Sequence, residues 1–390
     1  TEYFRLSRPP GKKVPIFLYA TFHDFIQTNV SPEPLGEGIG GFTEAYKTRV
    51  VLPLTASVAQ RRHVLAHELV HAHQFFLLYG EGVRSYSLYK SILVPLWFME
   101  GMAEHVSHGW DAQGETVLRD AVLHDRLPPL WLMHSFNHLE PHDAYLGYKA
   151  GQSALDYLGE TYGEDKIPAI LKSIDDARLF AQVFADKVGV SLTEFDRRWK
   201  DHLKETFWSQ VKGKKDAVDY GTGLVVNTPD RTGINTGACQ SPTDDTIAFL
   251  SDRQGYRNLF LLRKGQSPSA VFSSGFAGNL TGSPPDWSPD GKTLALVVKD
   301  GPRNVIALLD VRKRRIRKRL AFPFMDIGHP RFHPDGRSLA FVGFNGKAAE
   351  IYLADLETGV WRPVTSDGVA DASPALTPDG TSLVYESETP

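Results

Sequence analysis

Hydrophobic and polar positions along the chain change period twice. Residues 1 to about 56 read as short strands and turns: 14–20 as a buried strand, 36–41 as a flexible glycine turn, and 42–52 as one or two further strands. From Val58 the spacing becomes helical. Val64, Leu65, Leu69 and Val70 recur on helical steps in a run without Gly or Pro, and Gly80 and Gly82 stop it after Tyr79. A shorter helix is expected after Pro95, a residue suited to a helix's first turn. From 112 to 211 the pattern is largely helical, with helices expected over 112–126, 147–162 and 166–174. The capping box Ser191-Leu-Thr-Glu194 opens the last long one, which ends near Lys212.

The second change follows a charged, glycine-rich stretch at 212–223. Beyond it lie short alternating strands with an internal repeat. Trp287-Ser-Pro-Asp-Gly, Phe332-His-Pro-Asp-Gly and Leu376-Thr-Pro-Asp-Gly each feed a strand, with a weaker copy at Gln240-Ser-Pro-Thr-Asp. Their prolines, Pro242, Pro289, Pro334 and Pro378, are 47, 45 and 44 residues apart, the spacing of propeller blades. In three copies a second strand is expected, at 258–262, 305–310 and 350–354. Asp290, Asp335 and Asp379 are expected to cap their own turn backbones. No repeat carries a clustered His, Cys or acidic set suited to a catalytic metal. The pattern resembles the TolB-type β-propeller repeat. About four blades are expected, the last truncated, so the sequence reads as part of a longer protein or of a ring completed from elsewhere. The resulting division is 1–213 for the first domain, 214–223 for a linker and 224–390 for the propeller repeats.

The richest chemistry lies in His67-Glu68-Leu-Val-His71. On a helix, residues four apart share a face, so His67 and His71 can hold one Zn²⁺ between them. Glu68 then stands beside the metal, where a general base for an activated water belongs. The Gly and His that would extend the motif to a metzincin are absent, since Gln74 and Leu77 occupy those positions. Downstream, Glu100 and Glu104 lie four apart on the helix after Pro95. One could bind the metal while the other takes a hydrogen bond from a ligand histidine.

Trp97-Phe-Met-Glu100-Gly-Met-Ala-Glu104 resembles the W-x-x-E-G-x-A segment of gluzincin metallopeptidases, which include aminopeptidase-N-like enzymes and bacterial peptidase MA-like domains. The resemblance implies that Glu100 is the third zinc ligand and Glu104 the acidic group behind the ligands. His105 and His108 are rival ligands. The spacer from His71 to Glu100 is longer than in the aminopeptidases and carries a Tyr/Ser-rich stretch at 86–91. Tyr148-Lys-Ala-Gly151 is similar to the Y-x-x-G segment of the same enzymes, which implies that the Tyr148 hydroxyl stabilises the oxyanion; Tyr145 is the alternative. The resemblance also implies a small sheet whose edge strand binds substrate backbone, and Gly41 and Phe42 are candidates for that contact, or only for a hairpin turn. The fold class implied is multi-domain: an α+β gluzincin-type domain, with a small sheet and a helical lobe, then an all-β propeller.

Composition narrows the remaining choices. With 390 residues, 42% of them hydrophobic, and a net charge of −3, the chain should hold two or three domains and is not built for nucleic acid. No apolar run approaches a membrane span. The basic segment 312–319 reads as an exposed strand pair or turn. Cys239 is alone, which excludes a disulfide framework and a cysteine metal site. The chain starts at Thr1, which fits removal of an export signal, so a periplasmic or extracellular location is favoured over the cytoplasm. Two functions compete: a zinc peptidase, one Zn²⁺ per chain, with a propeller that binds a partner or substrate or restricts access to the zinc cleft; and a non-catalytic propeller scaffold with a relic metallopeptidase domain. Survival of His67, Glu68, His71 and Glu100 together favours the enzyme acting on a peptide or protein.

Overall fold

Two glycines explain how the helical lobe is assembled. The computed structural model describes all residues except 1–2, 4–12, 32–34, 36–38, 55–56, 81–92, 108, 137–138, 140–143, 175–177, 216, 228–232, 273–282, 302 and 389–390. Helix α1 spans Phe22–Ile26, α2 Val58–Tyr79, α3 Leu96–Ser107, α4 Ala112–Leu123 and α5 Ala144–Tyr162. Then come α6 (Lys166–Lys172), α7 (Phe180–Val188) and α8 (Leu192–Val211). Helices α3 and α5 touch backbone to backbone where Gly101 faces Gly151. A Cβ on Gly101 would lie 2.4 Å from the Gly151 carbonyl carbon, and one on Gly151 would lie 2.3 Å from Trp97 O. Only glycine permits that approach, and around it Trp97, Phe98, Met102, Leu155 and Trp199 form a dry core.

The helix boundaries follow local chemistry. Gly80, at φ +72°, ends α2, as the sequence suggested. Pro95 O accepts from Phe98 N and Met99 N at the start of α3. Ser191 caps α8 by accepting from Glu194 N at 3.2 Å, but the Glu194 carboxylate binds Arg197 and Arg198 rather than completing the expected box. Helix α4 stops short of 126 and α5 begins before Gly147.

The small sheet has order β1–β3–β2, from Ile16–Tyr19, Arg49–Pro53 and Phe42–Glu44 respectively. Strands β2 and β3 form an antiparallel hairpin that pairs Phe42 with Val51. The central β3 takes the burial, with Val50, Val51 and Leu52 inside. The apolar run 14–20 forms a strand, but not the buried one its composition suggested. Strand β1 is at the sheet edge, and Ile16, Phe17 and Leu18 are exposed. The expected turn at 36–41 lies partly, and the stretch 86–91 wholly, outside the described residues.

The C-terminal part is a series of blades. Strands β4 (Asn235–Gln240), β5 (Ile247–Ser251), β6 (Asn258–Leu262) and β7 (Ser269–Ala270) make the first. Strands β8 (Asp286–Trp287), β9 (Thr293–Asp300), β10 (Arg303–Asp310) and β11 (Arg315–Leu320) make the second. Strands β12 (Asp326–Phe332), β13 (Ser338–Phe344), β14 (Ala349–Asp355) and β15 (Trp361–Pro363) make the third. A two-stranded sheet, β16 (Asp371–Leu376) with β17 (Leu383–Ser387), follows. The propeller region is thus all-β and its sheets do not close into a ring within this sequence. In the Pro-Asp-Gly turns the aspartates do cap their own backbone: Asp335 Oδ1 accepts from Arg337 N and Ser338 N, and Gly291, Gly336 and Gly380 all take φ near +70°. The basic segment is the outer strand β11 and its preceding turn. Compactness divides the chain into one unit of Thr1–Leu18, Thr28–Leu52 and Arg62–Thr222, and another of Tyr19–Gln27, Pro53–Arg61 and Gly223–Pro390.

Candidate metal centre

Helical spacing on α2 and the approach of α3 to it bring the predicted donors to one point. His67 and His71 face the same side of α2, and α3 presents Glu100 to them. His67 Nε2 and His71 Nε2 are 3.1 Å apart, and each is 3.2 Å from Glu100 Oε2. A tetrahedral zinc site with bonds of about 2.0–2.1 Å separates neighbouring donors by about 3.3 Å. The donor set therefore fits a zinc-sized cation by distance as well as by type.

The outer ring nitrogen of His71 is hydrogen-bonded, and that of His67 lies at ion-pair distance from a carboxylate without forming a hydrogen bond, with both Nε2 atoms inward. His71 Nδ1 is 2.7 Å from Gln74 Oε1, and Gln74 Nε2 donates to Met99 O at 2.8 Å. His67 Nδ1 lies 2.8 Å from Glu104 Oε1. Behind Glu104 stands Lys149, only 2% exposed, with Nζ 2.7 Å from Glu104 Oε2 and 3.2 Å from Asp111 Oδ2. Its aliphatic stem packs over Gly114, where a Cβ would meet it at 2.9 Å. His63, His67 Nδ1 and Glu104 form an adjoining donor group. The ammonium of Lys149 against Glu104 opposes a second cation there, so the first group is the better cradle.

Electrostatics show how strongly this point attracts positive charge. Burial would lower the His67 imidazole, but Glu100 and Glu104 override it and push the group up to about 10. Burial and Glu100 act in the same opposing senses on His71, with the net direction upward. Burial would raise Glu100, yet His71 and His67 hold it down at about 2. Glu104 is likewise held low, by His63, His67 and Lys149 against its burial. A divalent cation bound here would take the place of those imidazole protons, since metal binding requires neutral rings.

Glu68, next to His67 on α2, faces a cleft of about 580 Å³ that also contains His67, His71, Glu100, Tyr148, Gly41 and Phe42. Thr43 Oγ1 lies 2.7 Å from Glu68 Oε2 and 2.8 Å from Glu68 O, so this strand holds the carboxylate. Gly41 lies just before β2 and outside the hairpin turn at 45–48, and a Cβ there would meet Val64 at 2.9 Å and Glu68 Cγ at 3.4 Å. It lets the edge strand β2 lie against α2 beside Glu68. The Tyr148 ring lies tilted against His67, centroids 6.2 Å apart, and against Phe136 at 5.6 Å. Burial, then Glu100, Glu68 and Glu104, push its hydroxyl well above the usual phenol range, so it stays protonated. Tyr145 is instead under Lys149 Nζ, 5.6 Å from its ring. His105 does not reach the donor point; its ring bridges Asp156 and Glu164. His108 lies outside the described residues.

Sequence reasoning did not single out Thr43, Gln74 as a ligand anchor, Lys149, or the cleft residues His134 and Ser135. Gln74 had a usable signal, since it is three residues after His71 on one helix face. The others depend on which strand or loop meets the helices.

Residues 7–205 match the Peptidase MA superfamily, and residues 279–390 match the TolB beta propeller domain. A Protein TolB homolog of Chlorobium luteolum is 29% identical over 147 residues, 36% of this chain and 31% of that protein. The Uncharacterized peptidase YuxL of Bacillus subtilis is 28% identical over 192 residues, 46% of this chain and 27% of that protein. The chain thus spans about a third or less of these relatives' length. Among solved structures, TolB from Acinetobacter baumannii aligns at 22% identity with a TM-score of 0.35, covering 39% of this chain and 37% of that one. A TolB structure from Agrobacterium tumefaciens aligns at 23% and 0.37, covering 42% and 57%.

Proposed function

Because this chain belongs to the Peptidase MA superfamily and carries a TolB-type propeller region, we propose that it is a zinc-dependent peptidase of the gluzincin type. The observation that carries the reading is the convergence of His67, His71 and Glu100 within 3.2 Å, with Glu68 on the wall of the same cleft. Zn²⁺ held by those three residues supplies, when bound, the Lewis acidity that polarises a peptide carbonyl and makes water nucleophilic near neutral pH. Glu68 accepts the proton of the attacking water and delivers it to the leaving amine. Thr43 keeps its carboxylate oriented for that exchange. Tyr148, protonated and on the opposite wall, donates to the developing oxyanion. Gly41 and Phe42 on the open edge of β2 offer backbone groups to an extended peptide. Glu104 holds His67 in the productive tautomer, and Lys149 balances its charge.

The propeller region serves a partner or substrate, because blades present a rigid set of loops. Its TolB likeness supports an exported location, and no helix among the described residues is long and apolar enough to cross a membrane. The test is metal analysis of the purified protein together with cleavage of a peptide library. One zinc per chain with cleavage lost to a chelator and restored by zinc is the expected result. Bound zinc with no cleavage of any peptide would leave the scaffold reading in its place.

A further inference from the structure

The third blade and the sheet after it contain a group that repeat symmetry does not explain. Glu350 on β14, Asp367 in the connection after β15, and Asp371 at the start of β16 bring carboxylate oxygens within 4.8 Å of one another. Asp371 is 1% exposed and Glu350 is 4% exposed. Among the described residues, both Asp371 oxygens and Glu350 Oε2 are buried without a hydrogen-bond partner. The contacts that do exist are with backbone: Glu350 Oε1 accepts from Gly368 N at 2.9 Å, and Asp367 Oδ1 accepts from Val369 N at 2.9 Å. This is the clustered acidic set that the repeats were not expected to carry.

The preceding repeat shows what the fold itself requires at these places. Glu350 pairs across its hairpin with Gly343 as Val305 pairs with Val298, and Asp371 pairs with Ser387 as Ile327 pairs with Gly343. The equivalents of Glu350 and Asp371 are therefore Val305 and Ile327, both buried apolar residues. Two carboxylates have replaced two aliphatic side chains inside the same framework. Buried anionic oxygens without a donor are strongly disfavoured unless a positive charge meets them. No lysine or arginine forms an ion pair with any of the three among the described residues.

We propose that Glu350, Asp367 and Asp371 form a calcium site. Its donors are all oxygen, which selects a hard cation over zinc. Ca²⁺ bonds oxygen at about 2.3–2.6 Å, so oxygens on opposite sides of one ion lie about 4.6–5.2 Å apart, and the whole group fits round a single ion. Mg²⁺ demands tighter octahedral geometry and gives up its waters reluctantly. The two buried carboxylates hold the ion from within, and the exposed Asp367 closes the site from the solvent side. The site ties β14 to β16 by charge where the equivalent positions of the earlier repeat carry apolar side chains. It stands independently of the peptidase reading.

The test uses the full chain, loaded with zinc and then cleared of other metals. Calcium chloride is titrated in calorimetrically, and melting is followed with calcium chloride or magnesium chloride. One Ca²⁺ per chain is expected, with a dissociation constant on the order of 10⁻⁶–10⁻⁴ M and a raised melting temperature. Glu350→Gln with Asp371→Asn should weaken binding by about tenfold or more. Glu350→Val with Asp371→Ile installs the apolar residues of the equivalent positions; it should lose the calcium response and melt, in metal-free buffer, no lower than the parent. Absence of calcium binding in the parent, or a response unchanged in the Gln/Asn variant, would overturn the site. Tighter binding of Mg²⁺ than of Ca²⁺ would overturn the choice of ion. If the Val/Ile variant does not fold, the Gln/Asn variant decides.

Discussion

Gly151→Ala is the sharpest probe of how the fold positions the chemistry. The added Cβ would lie 2.3 Å from Trp97 O, whereas ordinary van der Waals contact begins at 3.4 Å, so α3 and α5 must separate by about 1 Å. Overpacking of this kind costs about 1–3 kcal/mol, and the helix preference of alanine over glycine returns about 0.5–1 kcal/mol. A net loss of about 1–2 kcal/mol should lower the melting temperature by about 2–8 °C for a unit of this size. Function should suffer more. Tyr148 is on α5, while His67, His71 and Glu100 are on α2 and α3, so the zinc content should stay at one per chain. A misplacement of about 1 Å can cost about 10²-fold in turnover, and kcat for a peptide substrate should fall by that order. Gly159→Ala on the same helix is the control, because its Cβ would meet only the flexible end of Glu164. Melting by calorimetry, metal by mass spectrometry and kcat by peptide cleavage give the three readouts. A Gly151→Ala protein with parental melting and parental kcat would refute the claim that this crossing is tight and that it aligns the cleft.

Other expectations follow from the same geometry. Glu100→Ala should strip zinc, while Glu104→Gln should weaken it by only about 10- to 100-fold; metal titration with a competing chelator ranks them, and the reverse order would exchange their roles. Gln is preferred at 104 because alanine would strand the buried Lys149 charge. Tyr148→Phe should lower kcat by about 10²-fold with little change in KM, and an unchanged kcat would remove the oxyanion role. His105 titrates between Asp156 and Glu164, which raise its pKa against the effect of burial. A raised folded-state value means that its stabilisation is complete below the unfolded value of about 6.5 and fades as pH rises through the folded one. The melting deficit of zinc-loaded His105→Gln should therefore be larger at pH 6 than at pH 9.5, and a deficit independent of pH would show packing alone.

Much of this was legible from residue order because it is local. The i, i+4 histidines, the Gly80 stop and the Pro-Asp-Gly turns follow from helix and turn geometry, and the structure forms each of them. The choice of Glu100 over Glu104, and Tyr148, came through motif resemblance, because no spacing rule connects residues 67, 100 and 148. The physical reason for that motif became visible at Gly101 and Gly151, whose contact is tertiary. Lys149 carried no signal in the sequence; Glu104 and Asp111 from other elements make its burial tolerable. The run 14–20 misled because apolar composition does not reveal whether a strand is central or at an edge. The acidic group of Glu350, Asp367 and Asp371 was hidden for a similar reason: it is spread over two strands and a connection, and only blade packing gathers it.

The central claim is that Glu68 works on a proton beside a zinc held by His67, His71 and Glu100. Glu68→Gln keeps the side chain's size and its neighbours while removing the base. In zinc-loaded protein with equal metal content, the account predicts that cleavage of peptides which the parent hydrolyses falls by at least about 10²-fold. Turnover at the parental rate by Glu68→Gln, with one zinc still bound, would contradict it.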